Sequence, residues 1–530
     1  MQQSQSKQQV GGILGFIERI GNKIPDITIL FISAFLLVCV VSAVLAQIHF
    51  NYVHPATGRP IEITNMLSGK ALVDLMSKMV TNYANFPPLS MVIVATLGIG
   101  IADGSGYINT GLKKILSITP KVLITPVVIL VGMLSHLGPD SGYVIIIPIA
   151  AYMFYAVGKH PLAGIAASFA GIAGAFAANY TPSAIDPVIQ GFTQSAAQII
   201  DPGYQVNVLC NYFYAFASTF IVIGACWWVT EKITNPWLWK ACPLDDDLDL
   251  GNENNSSITP SENRAFKIAT AVLLLMLTGL VAALYPADSI LRAPDGVIAS
   301  FKAPIMQSIV SLIFIFAALV GLVYGIACGK FKSPKDVTAA MEEITKTLVQ
   351  LIVFYFFAAQ FLYAFGASNM GALIAVSGAE FLKSLNLPPQ VTVFGIIVFV
   401  ALLNLIITSA SAKWAILAPI FVPMLMAVGI APELTQVAFR VSDSAVNVVT
   451  PMFAFYPLII LYCQKYVKNA GIGTLSSMML PYTIALLVSL TFMLYLFWWL
   501  DIPLGFQADL CLSETVLTIS KGAEECRHVY

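Results

Sequence analysis

Apolar residues in this chain gather in long runs separated by short polar segments. Ile29–Ile48, Ala269–Leu284 and Tyr482–Leu500 are nearly free of charge, and a helix needs roughly 20 such residues to cross the hydrocarbon of a bilayer. The same pattern predicts spanning or partly spanning segments near 25–48, 88–103, 121–138, 142–158, 161–180, 207–230, 266–285, 305–328, 346–366, 391–408, 413–430, 434–462 and 477–500. A membrane β-barrel would show short alternating segments instead. The expected fold class is therefore an all-α polytopic membrane protein.

Two runs are interrupted by Pro, Gly and Ser, at LSHLGPDSGY (Leu134–Tyr143) and ITSASAKW (Ile407–Trp414). Unpaired backbone is costly in lipid, so such breaks must be buried in protein or line a watery cavity. One break in each half of a chain is the sequence mark of a transporter binding site. The halves are related. YVIIIPIAAYMFYAVGKHP (Tyr143–Pro161) aligns without gaps to WAILAPIFVPMLMAVGIAP (Trp414–Pro432), 271 positions later, with eight of nineteen residues identical.

Polar segments set the organisation. Lys7, Arg19 and Lys23, the cluster Lys113, Lys114 and Lys121, and the cluster Lys330, Lys332 and Lys335 belong on the cytoplasmic side by the positive-inside rule. The expected layout is a cytoplasmic N-terminal segment (1–24) and a first membrane half (25–230) with a broken hairpin near 134–158. A polar linker (231–265) follows, placed in the cytoplasm by Lys232, Lys240, Arg264 and Lys267. A second half (266–505) has its broken hairpin near 404–430, and a polar tail (506–530) lies on the periplasmic side. AVLAQ (Ala43–Gln47) looks like a signal-peptidase site, but the run before it exceeds a signal h-region of about 7–15 residues, so it reads as a retained first helix.

Composition strengthens this picture: 58% of the 530 residues are hydrophobic and 10% charged, against about 25% charged in soluble domains. The net charge of −1 comes with no dense basic cluster, so nucleic acid is not an expected partner. Glycine-rich GIGIADGSG (Gly98–Gly106) ends an apolar run and reads as a helix break. No HExxH, GxSxG or Walker A motif occurs, and the expectation is a non-enzyme without a cofactor. A distant alternative, an intramembrane enzyme, has only His136 and Asp140 to offer. The eight cysteines show no metal spacing; Cys39, Cys210 and Cys226 read as small core residues, and Cys511 and Cys526 could pair if the tail is outside.

The candidate chemistry lies in FRVSDSAVNVVTP (Phe439–Pro451). On a helix Arg440, Asp443 and Asn447 share one face, with Ser444 beside them. Charges at a helix centre cost at least about 2.5–3.5 kcal/mol each in a membrane, so these residues face the bundle interior or an aqueous path. Arg440 and Asp443 could offset each other in a structural ion pair. Against that reading, the matching positions of the first repeat are Phe169, Ile172 and Phe176, and one copy manages with apolar residues. Asn404 lies ahead of the second break, where serine hydroxyls and freed carbonyls suit a small cation. Lys413 is either an anion partner or a snorkelling side chain. Asp186, in NYTPSAIDP (Asn179–Pro187), is either a surface residue or part of the site, and His136 is a possible proton relay.

These segments resemble the p-aminobenzoyl-glutamate transporter (AbgT) family over roughly residues 12–505. The resemblance is carried by GIGIADGSG (98–106), GKHPLAGIAASFAG (158–171), ANYTPSAIDP (178–187), FFAAQF (356–361), SASAKWAILAPIFVPMLM (409–426), APELTQVAFRVSDSAVNVVTPM (431–452) and AGIGTLSSMMLPY (470–482). It implies a homodimer, each protomer with about nine transmembrane helices and two re-entrant hairpins in two inverted repeats. It implies cation-coupled secondary transport of p-aminobenzoyl-glutamate across the bacterial inner membrane, driven by sodium or protons, or alternatively proton-driven efflux of sulfonamide antimetabolites. Family functional positions match Asp186, Trp414, Pro432, Arg440, Asp443 and Pro451, and a family sodium site resembles Asn404, Asp443 and Asn447. One departure is His136, where relatives often carry asparagine. In that picture Arg440 binds a substrate carboxylate bidentately and Trp414 offers a stacking face to the aromatic ring.

Overall fold

The computed structural model describes residues 27–512 apart from 55–57, 136–140, 184, 246–257, 299, 301 and 386. His136, Asp140, Cys526 and most of the acidic linker lie outside the described residues. Cys511 is disulfide-bonded.

The first half holds α1 (Ile27–Leu45), α2 (Gly69–Ala84), α3 (Pro87–Ser105), α4 (Tyr107–Ser117), α5 (Ile124–Leu134), α6 (Ser141–Ala156), α7 (Pro161–Ala173), α8 (Ile185–Ala197), α9 (Tyr212–Val229) and α10 (Asn235–Ala241). The second half holds α11 (Pro260–Leu284), α12 (Pro304–Gln307), α13 (Ile309–Ala327), α14 (Pro334–Lys346), α15 (Val349–Ala367), α16 (Met370–Ser384), α17 (Pro389–Asn404), α18 (Ala410–Met426), α19 (Pro432–Val446), α20 (Tyr456–Gln464) and α21 (Ile472–Trp499). Among the described residues the fold is helical throughout, with three isolated β-bridges. Seven helical stretches are long and apolar enough to cross a bilayer, and nine if each of two bent pairs counts as one span; α4 meets α5 at 120° in the first half, and α16 meets α17 at 116° in the second. Helices α6, α7 and α18 are apolar but only 13 to 17 residues long, too short to span at 1.5 Å per residue.

Small residues set the closest helix contacts, as expected where lipid offers no hydrophobic drive for packing. A Cβ on Gly98 would lie 2.5 Å from the Phe314 carbonyl oxygen, and one on Gly321 2.5 Å from the Ala102 nitrogen, so α3 and α13 touch backbone to backbone. This corrects the reading of GIGIADGSG as a break. The helix runs on to Ser105, Gly100 and Gly104 face Ile344 and Ala340 of α14, and only Gly106, at φ 94°, ends it. The start of the C-terminal tail also folds back. Ala431 and Leu512 exchange backbone hydrogen bonds with Leu510 and Gly429, pinning the tail to the α18–α19 turn.

Candidate functional site

The repeat has a structural meaning. In each half a short helix ends in a left-handed glycine, at Gly158 (φ 79°) and Gly429 (φ 90°). The next helix then starts on a proline, Pro161 or Pro432, at its first position. Glycine takes this conformation without a Cβ penalty, and proline is pre-set for a helix start. Upstream, both short helices follow the breaks predicted from sequence; Ser409 caps α18 by accepting from the Ala412 amide. Downstream, α7 and α19 both end before unwound segments, which lead to α8 and α20.

These parts meet around a cavity of about 410 Å³, within the range of small-molecule sites. The first hairpin contributes Ser135, Gly142 and Tyr143, the second Thr408, Ala410 and Ser411. The segment after α7 adds Phe176 and Ser183, and the segment after α19 adds Asn447, Phe453 and Phe455. Tyr143 stacks on Phe455 with ring centres 4.2 Å apart and planes 6° off parallel. Among the described residues the lining carries hydroxyls, aromatic rings and Asn447, and no charged side chain.

Two ion pairs stand behind this lining, and neither is the Arg440–Asp443 pair that the sequence left as the alternative. Arg440 and Asp443 turn away from each other. Helix α19 packs against α8, α17 and α18. Arg440 Nη1 reaches Asp186 Oδ1 at 2.8 Å, and Nη2 donates to the Phe176 carbonyl at 3.2 Å. Asp186 is held by the Ser183 amide at 2.7 Å and hydroxyl at 3.0 Å. One turn further along α19, Lys413 Nζ meets Asp443 Oδ1 at 2.6 Å, both side chains fully buried, and donates to Asn404 Oδ1. Asn404 Nδ2 donates to the Asp443 carbonyl (2.9 Å) and to Asn447 Oδ1 (3.1 Å), and Asn447 Nδ2 donates to Asp443 Oδ2 at 3.2 Å. The contact between Asp443 Oδ1 and the ammonium is close in distance, but that oxygen lacks a well-directed hydrogen bond. Ser444 bonds back to the Arg440 carbonyl at 2.7 Å.

Lys413 therefore does not snorkel; its ammonium is sealed inside the protein. The same fact bears on a sodium ion at Asn404, Asp443 and Asn447. In this conformation the side-chain oxygens of all three residues are engaged by the ammonium or by each other. The arrangement does not fit a sodium ion among them.

Trp414 also differs from expectation. It is fully buried, stacks on Phe439 at 4.5 Å and donates from Nε1 to Thr193 Oγ1 at 2.9 Å. No face is left for a substrate ring, so Trp414 positions α18 against α8. The rings on the cavity are Tyr143, Phe176, Phe453 and Phe455. Tyr143 is the repeat counterpart of Trp414, the one signal that could have found it. Pro432 is buried at the start of α19. Pro451 lies in the unwound segment, next to Thr450, whose hydroxyl donates to the Leu405 carbonyl at the second break (2.9 Å). Sequence reasoning missed Glu433, 1% exposed, which receives the Tyr204 hydroxyl at 3.0 Å. Its carbonyl starts a polar chain through Asn211 and Gln436 to Thr193.

Comparison with known proteins agrees with this geometry. The AbgT transporter family profile matches residues 12–512. The chain belongs to the AbgT family. It is 32% identical over 502 residues to the p-aminobenzoyl-glutamate transport protein of Escherichia coli strain K12, covering 94% of this chain and 97% of that one. Among solved AbgT structures, the Alcanivorax borkumensis YdaH transporter, noted for an unusual topology, superposes with a TM-score of 0.85 at 36% identity, over 91% of this chain and all of that one. Neisseria gonorrhoeae MtrF, described within a class of antimetabolite efflux pumps, gives a TM-score of 0.86 at 39% identity, over 91% and 97%. The chain is thus a multi-pass membrane transporter with the fold of its AbgT relatives.

Proposed function

We propose that the chain carries p-aminobenzoyl-glutamate through the cavity between its two hairpins, coupled to a cation gradient in the bacterial inner membrane. The single observation that carries this reading is the placement of two ion pairs, Asp186–Arg440 and the fully buried Lys413–Asp443, three residues apart on one helix and reaching two different helices behind an aromatic cavity. The aromatic walls suit the aminobenzoyl ring. The glutamate carboxylates require Arg440, whose Nε has no partner, to turn from Asp186 to the substrate. Asp443 and Lys413 form the element at which cation movement is coupled. The lysine clusters support a cytoplasmic N-terminus; in this reading the C-terminus is periplasmic, and the transporter acts as a homodimer without enzymatic activity.

A second reading is favoured by the lining of the described residues, which offers rings, hydroxyls and Asn447 but no cation for a carboxylate. A sulfonamide has the ring but not the glutamate, and fits without opening the Asp186–Arg440 pair; this is the proton-driven efflux alternative. The test is uptake of radiolabelled p-aminobenzoyl-glutamate into proteoliposomes with imposed sodium or proton gradients. Accumulation under one inward gradient is expected, with none in Asp443→Asn/Lys413→Gln, which removes both charges together. Arg440→Ala should weaken recognition of p-aminobenzoyl-glutamate at least tenfold more than that of a sulfonamide, since a charged hydrogen bond contributes about 1.5–3 kcal/mol. Equal losses would assign Arg440 to the fold; no uptake from correctly oriented protein would favour efflux.

A further inference from the structure

A second hollow, of about 630 Å³, lies outside the transport cavity, where the C-terminal end of α9 faces the start of α5 and the α6–α7 turn. Lys121, Lys159 and Lys232 line it with a single acid, Glu231. That acid is already used: it receives Lys159 Nζ and the Thr125 hydroxyl, each at 2.5 Å. Lys121 and Lys232 are exposed and have no acidic partner among the described residues. Trp227 and Trp228 form the wall, 38% and 57% exposed. The chain presents Glu231 and Lys232 on a π-helical turn, Thr230–Thr234, a rare widening of a helix that often marks functional positions.

We propose that this groove binds the headgroup of an anionic phospholipid. Two ammonium groups with no acidic partner among the described residues call for a phosphate, and basic pockets between membrane helices on the lysine-rich face are suited to anionic headgroups. The groove's shape argues for a lipid rather than a free anion. Gly224 also lines it, two turns before Lys232 and so about 12 Å deeper along the helix. This floor lies within a candidate membrane span, Tyr212–Ala241. The ligand must be charged at one end and apolar over the next 12 Å or so. Tryptophans at such a boundary pack on the glycerol and first methylenes while their N–H groups meet polar oxygens.

Native mass spectrometry of the purified full-length protein with equal phosphatidylglycerol and phosphatidylethanolamine tests this. Retention of phosphatidylglycerol is expected. At about fivefold per lysine, Lys121→Gln/Lys232→Gln should weaken it roughly thirtyfold. Gly224→Leu, placed where nothing lies within 4 Å, should block it with every charge intact, and it decides alone if the lysine variant does not fold. Phosphatidylglycerol should also raise the melting temperature of the unaltered protein and not of Gly224→Leu. Equal retention of both lipids, or unchanged binding in the variants, overturns the proposal. Displacement by millimolar inorganic phosphate would make this a free-phosphate site. Cross-linking of two chains through this face that excludes the lipid would make it a subunit interface.

Discussion

At the residue scale, the Lys413–Asp443 pair is where structure and transport are hardest to separate. Both groups are fully buried, and removing one member of such a pair leaves an uncompensated charge at a cost of about 3–5 kcal/mol. Lys413→Gln and Asp443→Asn alone should each lower the unfolding temperature in detergent, and together they should lower it less than either alone. Restored stability with lost accumulation in the double variant marks the pair as functional. Restored stability with full accumulation marks it as structural. Arg440, Asp443, Asn447, Asp186 and Asn404 were legible in the sequence because polar groups are rare within apolar runs. Their partners were not, because helical periodicity gives a face and not the neighbour it meets. Arg440 and Asp443 are three residues apart, yet one reaches α8 and the other α18.

At the element scale, four of the eight shared residues of the repeat encode a turn, and the other four lie in the short helix before it. Gly158 and Gly429 hold left-handed backbone, and Pro161 and Pro432 start the following helices. Alanine at either glycine must enter a conformation costing roughly 1–2 kcal/mol. Gly158 has nothing within 4 Å of a new Cβ, so Gly158→Ala should show that backbone cost alone, and Gly158→Asn a smaller one. Thermal unfolding of the three proteins checks the order; an alanine variant as stable as the parent would show that the turn tolerates another conformation. The repeat, the breaks and the short helices were readable because glycine and proline act locally. Gly98, Gly100 and Gly104 of GIGIADGSG were misread for the opposite reason, while Gly106 does end the helix. Their role is set by Phe314, Ile344 and Ala340, more than 200 positions away in sequence, and no local rule separates a packing glycine from a helix-breaking one.

At the scale of the whole molecule, the two halves contribute unequally to one cavity. The first half gives a hairpin tip and the Asp186 that holds Arg440. The second gives the other tip and both cationic members of the ion pairs. A substrate seated between the tips must cover residues from both halves at once. Ser411, on the first turn of α18, is 8% exposed and lines this cavity without joining either ion pair. Cys39, Cys210, Cys226 and Cys463 are buried, so a cysteine placed at 411 can be followed by mass shift on its own peptide. Modification of Ser411→Cys by a membrane-impermeant thiosulfonate should therefore slow at least severalfold at saturating p-aminobenzoyl-glutamate. Phe176→Ala, which removes an aromatic wall contributed by the first half, should weaken that protection without exposing Cys210 or Cys226. Protection that survives loss of the Phe176 ring would place the substrate against the second half alone. Unchanged labelling with and without substrate would move the binding site away from the hairpin tips altogether.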